Sequence, residues 1–385
     1  MTDEFDIPID RLATESAKWR AYGPDVLPLW VADMDFPCPE PVIQALQARV
    51  AHGIFGYPAE PPELRMVLID WIQRSYGWRI QPEALVFLPG VVVGFNLAIR
   101  AVAGPGDGSL AQTPVYFPIL WAPANAGCRL DTMELSRLPD GSYAVDMDAF
   151  ESAITPRTRL FILCNPHNPV GRVFRRSELE AMAQACLRHN MIICSDEIHC
   201  DLVFTGHRHV PIASLDPEIG QHAITLMAPS KTFNIAGLNA SFAVIENKEL
   251  RDAFQKARSG LVSGLSVLGY VAMLAAYRDG RPWLDALLPY LQSNRDFLIR
   301  SVAERLPGVS TCKPEGTYLA WLNCRTSQVP GNPKRFFLEH ARVALNGGAS
   351  FGRGGEGFVR LNFGCPRPTL EAAVDRMAMA MEALS

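Results

Sequence analysis

Between residues 84 and 245, short and mostly apolar runs alternate with longer stretches in which apolar residues recur every three or four positions. The short runs fall at 84–88, 109–111, 159–164, 191–194, 223–227 and 240–245. Runs of that length without polar alternation suit strands covered on both faces, as in a mostly parallel sheet. Helices are predicted between them at 91–99 and 176–188; the second carries Leu179, Met182, Ala183 and Cys186 on one face. Strand and helix in alternation define an α/β class. The flanks read differently. Pro39-Glu40-Pro41 opens a helix with Val42, Ile43, Leu46 and Val50 inward, and 62–76 is a second helix. From 249 to about 304 the pattern is mostly helical, with a long amphipathic stretch over 282–306. A strand at 317–322, a helix over 333–344, a strand at 358–363 and a helix over 368–383 follow. The expected organisation is a large α/β domain over 49–282 and a smaller α+β domain made of 1–48 with 283–385.

Composition changes this picture little. The 385 residues are 48% apolar and 20% charged, with a formal net charge of -4. That balance gives no reason to expect nucleic acid or an anionic membrane as partner. No apolar run approaches the roughly 20 residues that span a bilayer. The first residues, Thr2-Asp3-Glu4-Phe5-Asp6, lack a basic, apolar signal segment, so a cytoplasmic location is expected. Nine scattered cysteines without a C-x-x-C pair read as buried free thiols, with no metal site. Gly352-Arg353-Gly354-Gly355-Glu356-Gly357 fits G-x-G-x-x-G, but it precedes a strand and opens no helix, so it is set aside as a dinucleotide site.

Candidate chemistry gathers where the central strands end. Open α/β sheets place ligand crevices at their carboxyl ends. Tyr116, Asn168, Asp196 and Lys231 all fall just after apolar runs. A lysine desolvated there has a lowered pKa, and its neutral amine forms a Schiff base with an aldehyde. A buried aspartate needs a cationic or hydrogen-bonding partner, and a pyridinium N–H is one. Asparagine donates to a ring phenolate oxygen and tyrosine stacks on a ring face. The strand-turn-helix junction at Gly90, Val91 and Val92 offers backbone N–H groups to a phosphate. Together these suit pyridoxal 5'-phosphate (PLP). Asp33 and Asp35, two apart before a helix, read either as a carboxylate pair or as turn and capping acids.

The chain carries PLWVADMDF at 28–36, FGY at 55–57, NPHNPVG at 165–171, SDEIH at 195–199, SKTFN at 230–234, TYLAWL at 317–322 and GFVRLNFGCPR at 357–367. On these segments it resembles the MalY/PatB-type cystathionine β-lyases, C–S lyases of the fold-type I, aminotransferase-like PLP enzymes. The resemblance covers nearly the whole chain. It implies a seven-stranded-type α/β/α large domain, a homodimer, and elimination of a thiol from an S-substituted L-cysteine to leave pyruvate and ammonia. It also implies residue roles. Lys231 bonds the cofactor's aldehyde carbon and later moves the Cα proton. Asp196 pairs with the pyridine nitrogen, and Asn168, with His199 nearby, reaches the ring oxygen. Tyr116 stacks on the ring. Gly90, Val91, Val92 and Ser230 hold the phosphate, with Tyr57 reaching in from the partner subunit. Arg360 clamps the substrate carboxylate. Two positions depart from the pattern: Ala228 and Gly90 stand where relatives place phosphate-binding hydroxyls. A class I/II aminotransferase using the same lysine, aspartate and asparagine is the alternative, and a non-catalytic binding module is a third reading.

Overall fold

The computed structural model describes residues 3–384. A seven-stranded sheet forms its centre: β1 (Leu85–Leu88), β2 (Gly108–Thr113), β3 (Arg129–Glu134), β4 (Thr158–Cys164), β5 (Ile192–Asp196), β6 (Ala223–Met227) and β7 (Ser241–Val244). Their spatial order is β1-β7-β6-β5-β4-β2-β3. β3, β2, β4, β5 and β6 pair in parallel, while β7 runs antiparallel between β6 and β1. The aminotransferase-like α/β architecture expected from the chain is the one observed.

Alternation along each strand divides the core. Leu160 and Ile162 of β4 join one apolar cluster with Phe95, Ala98 and Ile99 of the Val91–Val102 helix. Phe161 and Leu163 point to the opposite face, onto Leu179, Met182 and Cys186 of the Arg176–Arg188 helix. Period-two side chains on a doubly covered sheet give this arrangement directly. Gly94 sets how closely the first helix sits. A Cβ there would lie 2.7 Å from Leu226 Cδ2, so a larger residue at this position would force the leucine side chain to shift.

A second, antiparallel sheet is built from β8 (Ser310–Thr311), β9 (Leu319–Asn323), β10 (Asn346–Gly347) and β11 (Phe358–Asn362), in the order β8-β9-β11-β10. The 25-residue helix Arg281–Arg305 matches the predicted amphipathic stretch. Among the departures from the sequence reading, two concern these sheets and their connections. The helix expected over 333–344 is α-helical only over Pro333–Phe336, widens to a π-turn over Phe337–Ala341 and stops at Arg342. Arg342 has a left-handed φ of 55°, and Val343-Ala344 then pairs in parallel with Leu27-Pro28. β3 was not foreseen. It is an edge strand whose polar residues Arg129, Asp131, Thr132 and Glu134 hide the apolar signal. All nine cysteines are free, seven of them buried. Among the described residues, no helix is long and apolar enough to cross a membrane.

Candidate active site

The carboxyl ends of β4, β5 and β6 open into a cavity of about 390 Å³. Asp196 is the last residue of β5. Lys231 follows β6 on a single helical turn, Pro229–Thr232. Asn168 sits in the turn after β4. Asn165 Oδ1 accepts from Phe174 N–H at 3.1 Å to brace that turn, and Asn168 O accepts from Tyr116 N–H at 3.0 Å. Tyr116 precedes the Phe117–Asn125 helix. Arg360 comes from β11 of the other sheet. Its Nη1 donates to Asn168 Oδ1 at 2.9 Å and its Nη2 to Trp30 O at 2.8 Å, and its guanidinium lies 5.1 Å over the Phe351 ring.

Burial governs the electrostatics. The Lys231 amine is pushed down to about 8, chiefly by desolvation, and donates to the carbonyl of Ala32. Tyr318, itself fully buried, donates its hydroxyl to the same carbonyl at 2.8 Å. Asp196 is pushed up to about 7 by burial, against the lowering effect of the one side-chain hydrogen bond it accepts, from Ile198 N–H at 3.2 Å. Arg360 is lowered to about 10 by burial. His199 is held well below the ordinary histidine range by burial, with Lys231 and Arg360 adding to the effect. It is therefore neutral near pH 7. Burial raises the Tyr116 phenol.

The donor set fits PLP. Asp196 is a buried carboxylate short of a cationic donor, which a pyridinium N–H provides. His199 Nδ1 and Arg360 Nε are buried without partners. Gly90 caps the Val91–Val102 helix with no side-chain hydrogen bond, so the first amides of that helix face the cavity free, as an anion requires.

Of the residues singled out from sequence, Gly90, Val91, Val92, Tyr116, Asn168, Asp196, His199, Ser230, Lys231 and Arg360 all line this cavity. Tyr57 does not; it is fully exposed, in a stretch without regular structure. Asp33 and Asp35 do not cap a helix. Arg11 bridges the two carboxylates, and Asp35 also accepts from buried Lys18 at 2.7 Å and from Trp19 Nε1 at 2.8 Å. They anchor residues 30–36 across the site. Sequence reading missed Ala32, Phe117 and Asn346. A backbone carbonyl such as that of Ala32 has no residue-type signal. Asn346 lies on a two-residue strand, and only its register places it opposite Arg360.

Comparison with known proteins agrees with this geometry. The family model "Aminotransferase class I and II" matches residues 24–377. The chain is 40% identical to "Cystathionine beta-lyase PatB" of Bacillus subtilis over 98% of this chain and 99% of that protein. Among solved structures, a protein titled OvoB superimposes with a TM-score of 0.94 at 46% identity, covering 98% of each chain. Cystalysin from Treponema denticola, described as containing pyridoxal 5'-phosphate, superimposes with a TM-score of 0.95 at 30% identity over 99% of each. With a family match over most of its length, and a lysine, aspartate and asparagine meeting at the ends of three parallel strands, the chain belongs to the aminotransferase class I and II family.

Proposed function

We propose that the protein is a PLP-dependent carbon–sulfur β-lyase that converts cystathionine or another S-substituted L-cysteine, with water, to a thiol, pyruvate and ammonia. The observation that carries this reading is the single cavity that brings together Lys231, Asp196, Asn168 and Arg360, in a chain 40% identical to a protein named cystathionine β-lyase. Bound PLP supplies an electron sink conjugated to the substrate's Cα, which makes the Cα proton removable and lets the Cβ–S bond break.

The chain's own residues do the rest. A guanidinium has five N–H groups, and two of Arg360's are used by Asn168 and Trp30. Those remaining, Nε included, receive the substrate carboxylate and fix which bond at Cα faces Lys231. The Lys231 amine, steered by the Ala32 carbonyl, takes the Cα proton. A base near 8 is well matched to that task near neutral pH. Asp196 holds a proton on the cofactor's ring nitrogen by accepting its hydrogen bond. Asn168 Nδ2 donates to the ring oxygen, since its Oδ1 is engaged by Arg360. Tyr116 covers one ring face. Val91 and Val92 amides and Ser230 hold the phosphate, and Tyr57 reaches it from the partner in a cytoplasmic homodimer. Its full exposure and its absence from its own cavity support that part.

The test is a split assay on purified protein with PLP and L-cystathionine. Pyruvate with an equal amount of thiol, and no need for an oxo acid, is expected. Glutamate formed from 2-oxoglutarate without thiol would instead make the protein an aminotransferase.

A further inference from the structure

A second depression, of about 590 Å³, lies beside the catalytic cavity. Phe117 and Asn346 line both. Asn346 pairs with Arg360 across β10 and β11, so the two side chains stand on one face of the sheet. No side-chain hydrogen bond to Asn346 exists among the described residues, which leaves its amide available at the junction of the two spaces. Outward from there, Phe117 packs on Trp121 with ring centroids 4.8 Å apart. Trp121 leaves 60% of its surface exposed on this wall. The floor depends on glycine. A Cβ on Gly348 would lie 2.0 Å from Gly355 O, so the 346–350 edge closes on the 352–357 turn only because both positions are bare.

The chemistry of the far end is specific. Among the described residues lining the depression, Lys334 and Glu356 carry charge, one of each sign. Both are exposed, and neither has an ion-pair partner within 4.0 Å among the described residues. Lys334 is not a loosely waving chain. Its stem lies along Gly347, where an added Cβ would meet Lys334 Cδ at 3.1 Å. Going outward from Lys231, a substrate therefore meets a carboxylate receptor, a free amide, an aromatic wall and a pair of opposite charges.

We propose that this depression is the subsite for the leaving half of the substrate, and that it selects sulfur substituents ending in a second amino-acid zwitterion. Lys334 receives the distal carboxylate and Glu356 the distal ammonium, while Phe117 and Trp121 line the methylene chain between. A plain S-alkyl group fills the apolar wall but leaves both charges in water. The inference rests on the carbon–sulfur lyase reading and adds which thioethers that site prefers.

The experiment compares kcat/KM for L-cystathionine and S-ethyl-L-cysteine in the holoenzyme and in Lys334→Met, Glu356→Gln and Lys334→Glu. Exposed charge contacts are modest, so each neutral variant lowers the cystathionine-to-ethylcysteine ratio about fivefold, and the reversed charge lowers it further. The loss falls mainly on KM for cystathionine, because the distal contact is the same before and during bond cleavage. A ratio unchanged within about twofold in all three variants would overturn the subsite. So would turnover of S-ethyl-L-cysteine without turnover of cystathionine, which leaves the lyase reading standing. Pyruvate from neither compound would remove both.

Discussion

Lys231 gives up its proton more readily than a lysine in water, because its amine is desolvated and the neighbouring Arg360 adds repulsion. The neutral, nucleophilic fraction grows as pH rises through about 8, rather than through the ordinary value of about 10.4. The rate at which the cofactor-free protein captures PLP is expected to follow that curve, with its midpoint near 8 when absorbance growth is recorded against pH. A midpoint above 10 would mean a lysine still bathed in water. Lys231→Ala is expected to lose both the covalent absorbance and turnover. Gly90 offers the opposite kind of change. Its φ of 171° is extended backbone that any residue adopts, and a Cβ there meets nothing within 4 Å. Gly90→Ser therefore fits and adds a hydroxyl at the head of the anion-binding helix. One added hydrogen bond of about 1 kcal/mol predicts roughly fivefold tighter PLP, measured by titrating the cofactor-free protein. Lys231 and Asp196 were legible in sequence because Tyr116, Asn168, Asp196 and Lys231 all follow apolar runs, a grouping that packing does not explain. Asn346 was not, since its importance comes from lying across from Arg360, a relation between chain segments that local pattern does not carry.

At the scale of elements, residues 30–36 act as a strap between the two sheets. The carbonyls of Trp30, Val31 and Asp33 accept from Arg360 and Asn362 of β11. From the opposite side, Asn234 accepts from Met34 N–H at 2.9 Å and donates to Met34 O and Phe36 O. The N-terminal segment locks the strap from behind through Lys18, which is 1% exposed and paired with Asp35. Lys18→Met leaves buried Asp35 with only Arg11 and Trp19 as partners, so it is expected to cost about 1–3 kcal/mol in urea unfolding. Breaking the exposed pair between Arg305 and Asp375 with Arg305→Ala should barely move the midpoint. Equal effects would mean that Asp35 is carried by Arg11 and Trp19 alone. Activity should fall with Lys18→Met as well, because the Ala32 carbonyl that steers Lys231 belongs to the strap. The central strands and the 176–188 helix were readable from periodicity, since burial on both faces leaves a dense apolar signature. The strap was not. It holds by backbone carbonyls and by ion pairs 17 to 24 residues apart, and its sequence read either as a carboxylate pair or as turn and capping acids.

For the whole molecule, the stretch His52 to Ala59 is exposed along its length. Tyr57 is 106% exposed, and Ile54 and Phe55 beside it are 65% and 56% exposed. Apolar side chains bared together on a surface call for a covering partner. If Tyr57 completes the phosphate site of a second copy, each site in the dimer draws Lys231 from one subunit and Tyr57 from the other. Two damaged chains then become informative. Lys231→Ala is inactive on its own, and Tyr57→Phe is expected to bind PLP weakly and turn over poorly at limiting cofactor. A mixed dimer of the two has one site with both defects and one site with neither. Unfolding and refolding an equal mixture makes half of the dimers mixed, so about a quarter of all sites regain wild-type composition. Activity at limiting PLP should rise to about a quarter of that of the intact protein, above the level of either parent. Were Tyr57 to serve its own subunit, every Lys231-bearing site in the mixture would still carry Phe at 57, and mixing would yield only the average of the parents. The measurement thus reads the subunit of origin of a single hydroxyl.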